Sequence, residues 1–235
     1  MNDYEPYNTI YKLGAAAAAG VALLLLLVTI GFTLFPQPMT VSGWFDLLQR
    51  SPLIGLFDFW GLELLMYLFF LPVFLALYYA LREQDPGLAA LALALALVGT
   101  AVFLASNNPA VMLNLSAKYA AATDELQRTA LLGAGEAALA RTGQRAVGGF
   151  NVGLFLVSLA GMIMAMLMRY SVPFGGLTAT IGIAAFAFSL LDFLRQLFTQ
   201  SAAIALLIIL PGALLLLLWF TLVAIRLWRL GHNLQ

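Results

Sequence analysis

Long apolar runs separated by short polar breaks organise the chain, and the length of those runs classifies it. A helix rises about 1.5 Å per residue, so a hydrocarbon core of about 30 Å takes about 20 apolar residues to cross. Six runs of that order occur, over residues 13–35, 56–81, 88–106, 146–168, 174–191 and 202–225, and each is read as a transmembrane helix. The first ends where Pro36 and Pro38 follow it, because proline cannot continue a helix and restricts the residue before it. It is longer than the apolar core of a secretory signal, and "FTLFPQPM" has no small-x-small cleavage site, so it is expected to remain as a span. The third run, "LAALALALALVG", alternates like a strand, yet Leu and Ala are strong helix formers and its length is that of a helix.

The polar breaks carry their own signals. Residues 39–55 mix Trp44, Phe45, Leu47, Leu48 and Ile54 with Asp46, Gln49 and Arg50, a pattern suited to a short helix lying in the membrane interface. "REQDPG" is a tight turn between the second and third spans. After the third span, Asn108 before Pro109 marks one helix start, and Thr123 before Asp124 and Glu125 marks a second. Two amphipathic helices outside the membrane are expected there. Arg169 to Pro173 forms another turn, and Arg226, Trp228 and Arg229 close the last span with interfacial anchors. Pro211 frees the Leu207 carbonyl in mid-span, so a bend toward the bundle is expected at that point. The fold class is therefore all-α: one polytopic membrane bundle of six transmembrane helices over residues 1–235, with extracytoplasmic amphipathic helices between spans three and four.

Composition sharpens this reading. Of 235 residues, 63% are hydrophobic and 9% charged, against roughly 25% charged in a soluble domain. Formal net charge is zero and no run of Lys or Arg occurs, so no nucleic acid partner is expected. Cysteine is absent, which excludes thiolate metal sites, and His232 is the only histidine, so haem, zinc and copper are not expected, since such sites usually need two or more of these groups. "GAGEAALARTG" lacks the Gly-Lys-Ser/Thr ending of a phosphate loop. No cofactor and no metal are expected. Six spans put both termini on one side. Lys12, Arg82, Arg169, Arg226 and Arg229 lie on that side in short turns and tails, where the positive-inside bias acts most strongly. The opposing six cations, Arg50, Lys118, Arg128, Arg141, Arg145 and Arg195, lie mostly in one long loop. Both termini are therefore assigned to the cytoplasm and the chain to the inner, or plasma, membrane.

The order of "LELLMYLFFLPVFLALYYALRE", "KYAAATDELQRTALLGAGEAALA" and "MRYSVPFGGLTATIGIAAF" resembles a bacterial six-span membrane family classed only as a domain of unknown function. Glu63, Pro72, the helix from Asp124 to Glu136 and Pro173 stand at the matching features, over about residues 10–225. The resemblance implies a fold and supplies no activity.

Few groups could carry chemistry. Asp58 should lie in the headgroup region, whereas Glu63 is 19 residues from Arg82, about 28 Å along the axis, at the outer edge of the hydrocarbon. Glu63 would either pair with Arg141, Arg145 or Arg195, or stand desolvated and exchange protons, with Tyr67 one turn away at i+4. Glu136, Arg141, Arg145 and Asn151 form a second cluster, in which two guanidinium forks at i, i+4 could hold a phosphate or carboxylate, or simply pair with Glu136. Asp192 and Arg195, at i, i+3, read as a local ion pair worth about 0.2–0.5 kcal/mol. Ser106, Ser116, Ser158 and Ser189 have no histidine to activate them. Gly148, Gly149, Gly153 and Gly161 are read as close helix packing. The leading expectation is a non-enzymatic membrane protein that binds a lipid or anion in an outer-leaflet polar pocket. The alternatives are an accessory subunit of a membrane complex and an intramembrane carboxylate hydrolase. Expected partners are membrane lipids and a membrane protein or second copy.

Overall fold

The computed structural model describes residues 7–34, 37–56, 61–143, 150–199 and 201–232. Regular structure among them is helical throughout: α1 (Asn8–Leu34), α2 (Val41–Arg50), α3 (Pro52–Leu56), α4 (Leu62–Leu81), α5 (Pro86–Ser106), α6 (Pro109–Ala121), α7 (Glu125–Thr142), α8 (Val152–Met168), α9 (Gly175–Phe198) and α10 (Ala202–Gly231). The protein is an all-α membrane helical bundle. Among the described residues, five helices are long and apolar enough to cross a membrane, namely α1, α4, α5, α9 and α10. The remaining expected span, the fourth, corresponds to α8, apolar and 17 residues long, and the start expected for it at residue 146 lies outside the described residues. The expected end of the fifth span at residue 191 is corrected: α9 runs seven residues further, to Phe198, and carries Asp192 and Arg195 inside the helix. Both interior prolines are accommodated without interrupting their helices, Pro72 in α4 and Pro211 in α10.

The chain divides into two compact units. The first comprises residues 1–26, 66–101 and 153–235. Its helices approach at glycines, as expected where lipid removes the hydrophobic drive for helix association and only close packing and polar contacts remain. A Cβ on Gly14 of α1 would strike Ala76 and lie 3.1 Å from the Pro72 carbonyl of α4. One on Gly99 of α5 would lie 2.8 Å from the Gly153 carbonyl of α8. Gly161 of α8 receives the ring of Phe186, and Gly182 of α9 receives the indole of Trp219. Those two rings meet edge to face at 4.9 Å, and Trp219, Phe220, Phe70 and Tyr67 continue the contact from α10 into α4.

The same glycines fix the direction and register of neighbouring helices. Gly182 meets Trp219 while Gly212 meets Phe188, so α9 and α10 are antiparallel and Gly175 is level with Arg226. Gly14 meets Ala76 while Gly20 meets Phe69, so α1 and α4 are antiparallel and the start of α1 is level with Arg82. Gly231 packs on Lys12 and on the Asn8 carbonyl, which brings the end of α10 to the start of α1.

The second unit comprises residues 27–65 and 102–152. α2 buries Val41, Trp44, Phe45 and Leu48, a spacing of i, i+3, i+4, i+7 that makes one apolar face. Met112 of α6 and Leu139 of α7 complete this core. Two hydrogen bonds tie α2 to α6: Ser116 Oγ donates to the Phe45 carbonyl at 3.0 Å, and Gln49 Nε2 donates to the Ser116 carbonyl at 3.0 Å. Asn108 caps α6 as its sequence predicts, with Pro109 in first position. The cap of α7 is Asp124 and not Thr123: Asp124 Oδ1 accepts from the Gln127 amide at 2.7 Å. α7 ends at Gly143, whose φ of 88° is left-handed and whose missing Cβ admits the Asn151 backbone nitrogen at 2.8 Å.

Candidate functional site

Among the candidate residues, Asp192 and Arg195 are the ones joined by an ion pair in the described structure. α9 is apolar along most of its length, and these two residues lie on its last turns with side chains only 9% and 4% exposed. Arg195 Nε donates to Asp192 Oδ1 at 2.9 Å, and Gln196 Nε2 donates to Asp192 Oδ2 at 3.0 Å, so both carboxylate oxygens accept hydrogen bonds. Arg195 Nη1 donates to the Thr199 carbonyl at 2.8 Å and thereby caps the end of its own helix. A cation in that position also meets the negative end of the helix dipole. The expected i, i+3 pair is therefore present, but it is buried, which changes its energy from that of a surface pair to that of a desolvated one. The bonds formed use Nε and Nη1 of Arg195, and Nη2 takes none among the described residues.

The remaining candidates are placed separately. Tyr67 is buried in the first unit, with its ring 5.1 Å from that of Phe70. Glu63 lies in the first turn of α4, half-buried, where the helix dipole favours an anion, and no ion pair engages it among the described residues. Glu136 and Arg141 are exposed on α7, and the pairing expected between them is not formed. Asn151 is half-buried against Gly143. Asp58, Arg145, Gly148 and Gly149 lie outside the described residues. Gly153 and Gly161 do act as packing positions. Among the described residues, no group of three or more His, Asp or Glu is gathered closely enough to hold a metal ion.

One cluster is absent from the sequence reading. Arg82 Nη2 donates to the Tyr7 hydroxyl at 2.8 Å, and its guanidinium carbon lies 4.8 Å and 5.1 Å from the ring centres of Tyr7 and Tyr79. The two rings stack at 4.5 Å. The Tyr7 hydrogen bond holds the Arg82 guanidinium above its ordinary pKa range. An arginine three and four residues after a tyrosine pair at a span end was a visible signal, but the partner Tyr7, 75 residues away, was not.

No family model matches the chain, and neither a curated protein nor a solved structure matches it.

Proposed function

We propose that this chain is a six-span protein of the bacterial plasma membrane, of the kind its motifs resemble, with α6 and α7 on the outer side and both termini in the cytoplasm. It acts by binding and not by covalent chemistry, and its ligand is an anionic group, lipid phosphate or small anion, taken up by Arg195 at the outer end of α9. The observation that carries this reading is the buried guanidinium whose Nη2 makes no hydrogen bond among the described residues. Nη2 is not among the buried polar atoms left without a partner, so it stays open to a ligand at the end of α9 while Nε and Nη1 are held by the protein. A phosphate or carboxylate oxygen meets it in a charge-assisted bond. Asp192 and Gln196 then act as positioning residues that hold the guanidinium plane.

Purification in native lipid followed by mass spectrometry tests this. The wild-type protein should carry a bound anionic lipid or a small anion, the two being told apart by mass. Arg195→Gln should lose it while eluting as the same monodisperse species. Retention of the same adduct by that variant, or absence of any adduct on the wild type, would overturn the proposal.

A further inference from the structure

The opposite end of the first unit holds a second charged surface, built from residues far apart in sequence. The antiparallel register brings the start of α1, the α4–α5 turn, the α8–α9 turn and the end of α10 to one level. Five cations gather there: Lys12, Arg82, Arg169, Arg226 and Arg229. Arg82 is engaged by Tyr7. Lys12, Arg169 and Arg229 are exposed and Arg226 half-buried, and none of these four is ion-paired among the described residues. Among the described residues, the carboxylates at this level are Glu83, exposed, and Asp85, whose Oδ1 already accepts from the Leu88 amide at 2.9 Å and caps α5. Among the described residues, positive charge therefore exceeds negative charge on this face.

The neighbours of these cations are unusual for a face that meets only water. Tyr170 beside Arg169 is 76% exposed, Val172 is 95% exposed, and Trp228 between Arg226 and Arg229 is 51% exposed. Leu13 beside Lys12 is exposed as well. Cations interleaved with exposed aromatic and aliphatic side chains at span ends belong at the depth of lipid headgroups, where the apolar parts reach hydrocarbon and the charges reach phosphate. The spare charge and the depth point to the same occupant.

We propose that this rim is a binding surface for anionic phospholipid headgroups, with Lys12, Arg169, Arg226 and Arg229 contacting the phosphates and Trp228 and Tyr170 seated among the glycerol backbones. The occupant is the lipid and not dissolved phosphate, because the aromatic neighbours have no role in water. The surface is independent of Arg195, which lies at the other end of α9.

Electron spin resonance of spin-labelled lipids around the full chain, reconstituted in phosphatidylcholine vesicles, measures the preference for phosphatidylglycerol over phosphatidylcholine. A cation close to an anionic surface contributes roughly a fivefold preference before screening. The wild-type protein should therefore show a clear preference for phosphatidylglycerol that falls as salt is raised. Changing Lys12, Arg169, Arg226 and Arg229 together to Gln should reduce that preference at least about threefold, whereas changing the three arginines to Lys should keep it. Should the Gln variant fail to fold, the Lys variant and the salt series still decide. An equal preference in the Gln variant, a wild type without preference, or loss of preference with dissolved phosphate at an ionic strength where chloride leaves it intact would each overturn the proposal. The Gln variant retains Arg195, so an adduct at that site would be unaffected by it.

Discussion

A guanidinium within a spanning helix is stable only as far as its surroundings replace water. At Arg195 that replacement comes from Asp192, from the Thr199 carbonyl, and through Gln196, which fixes the carboxylate. Sequence spacing identified the pair but could not assign its energy, because i, i+3 pairs look the same on a wet helix face and on a buried one. Burial decides between about 0.5 kcal/mol and the 3–5 kcal/mol lost, roughly, when one member of a buried pair is removed. Arg195→Gln is expected to destabilise the protein by about 3 kcal/mol in a bilayer-like environment. Asp192→Asn together with Arg195→Gln should cost clearly less than the two single changes summed, since neither member of this pair is then left charged without the other. Thermal or denaturant melts of the singles and the double provide the measurement. Strict additivity would mean that water reaches the pair. The glycines teach the same lesson at smaller size: Gly161 was legible as a packing position, yet its guest, Phe186, was not, because apolar spans carry no signal of which neighbour they face.

Helix existence was legible wherever the apolar run was long, and helix ends were legible where a cap residue stood alone. The ends went astray where polar residues compete. Thr123 and Asp124 are both good caps, and the structure selects Asp124, whose short carboxylate reaches the Gln127 amide. Asp124→Ala should therefore lower the stability of α7 by about 1 kcal/mol, with Thr123→Ala close to neutral. Amide hydrogen exchange in the first turn of α7 would show the difference, and equal effects of the two changes would return the cap to an unresolved pair. The fifth span was cut short at Leu191 for a related reason: charged residues look like a helix end, whereas here they pair within the helix and α9 continues to Phe198. The interfacial stretch fared better. Val41, Trp44, Phe45 and Leu48 repeat at helical spacing among polar residues, and α2 forms with that face inward. Its hold on α6 through Ser116 and Gln49 had no sequence signature, since those partners are about 70 residues apart.

At the scale of the whole molecule, the open quantity is the number of crossings, and it turns on α8. That helix has 17 residues, about 25 Å of rise, slightly short of the hydrocarbon thickness. Two observations argue that it crosses. Gly153, Leu156 and Val157 at its start lie against Gly99, and Gly161 and Ala165 further along lie against Phe186 and Gly182, so α5 holds the first turns of α8 and α9 its later ones. A helix clasped in this way by two spanning helices is held through the same apolar layer, and a bilayer thins locally around a short span at modest cost. If α8 crosses, three spans separate α7 from the end of α10, and those two points lie on opposite sides. If it does not, two spans separate them and they lie on the same side. The absence of cysteine allows a test without background labelling. Glu83→Cys, Glu136→Cys and His232→Cys each place one thiol at an exposed position on the α4–α5 turn, on α7 and at the end of α10. A membrane-impermeant maleimide applied to intact cells should modify Glu136→Cys and reach the other two only after permeabilisation, because the basic end is the one the positive-inside bias retains in the cytoplasm. The reverse pattern would keep six crossings and invert the orientation. Labelling of Glu136→Cys and His232→Cys from the same side would remove α8 from the spans.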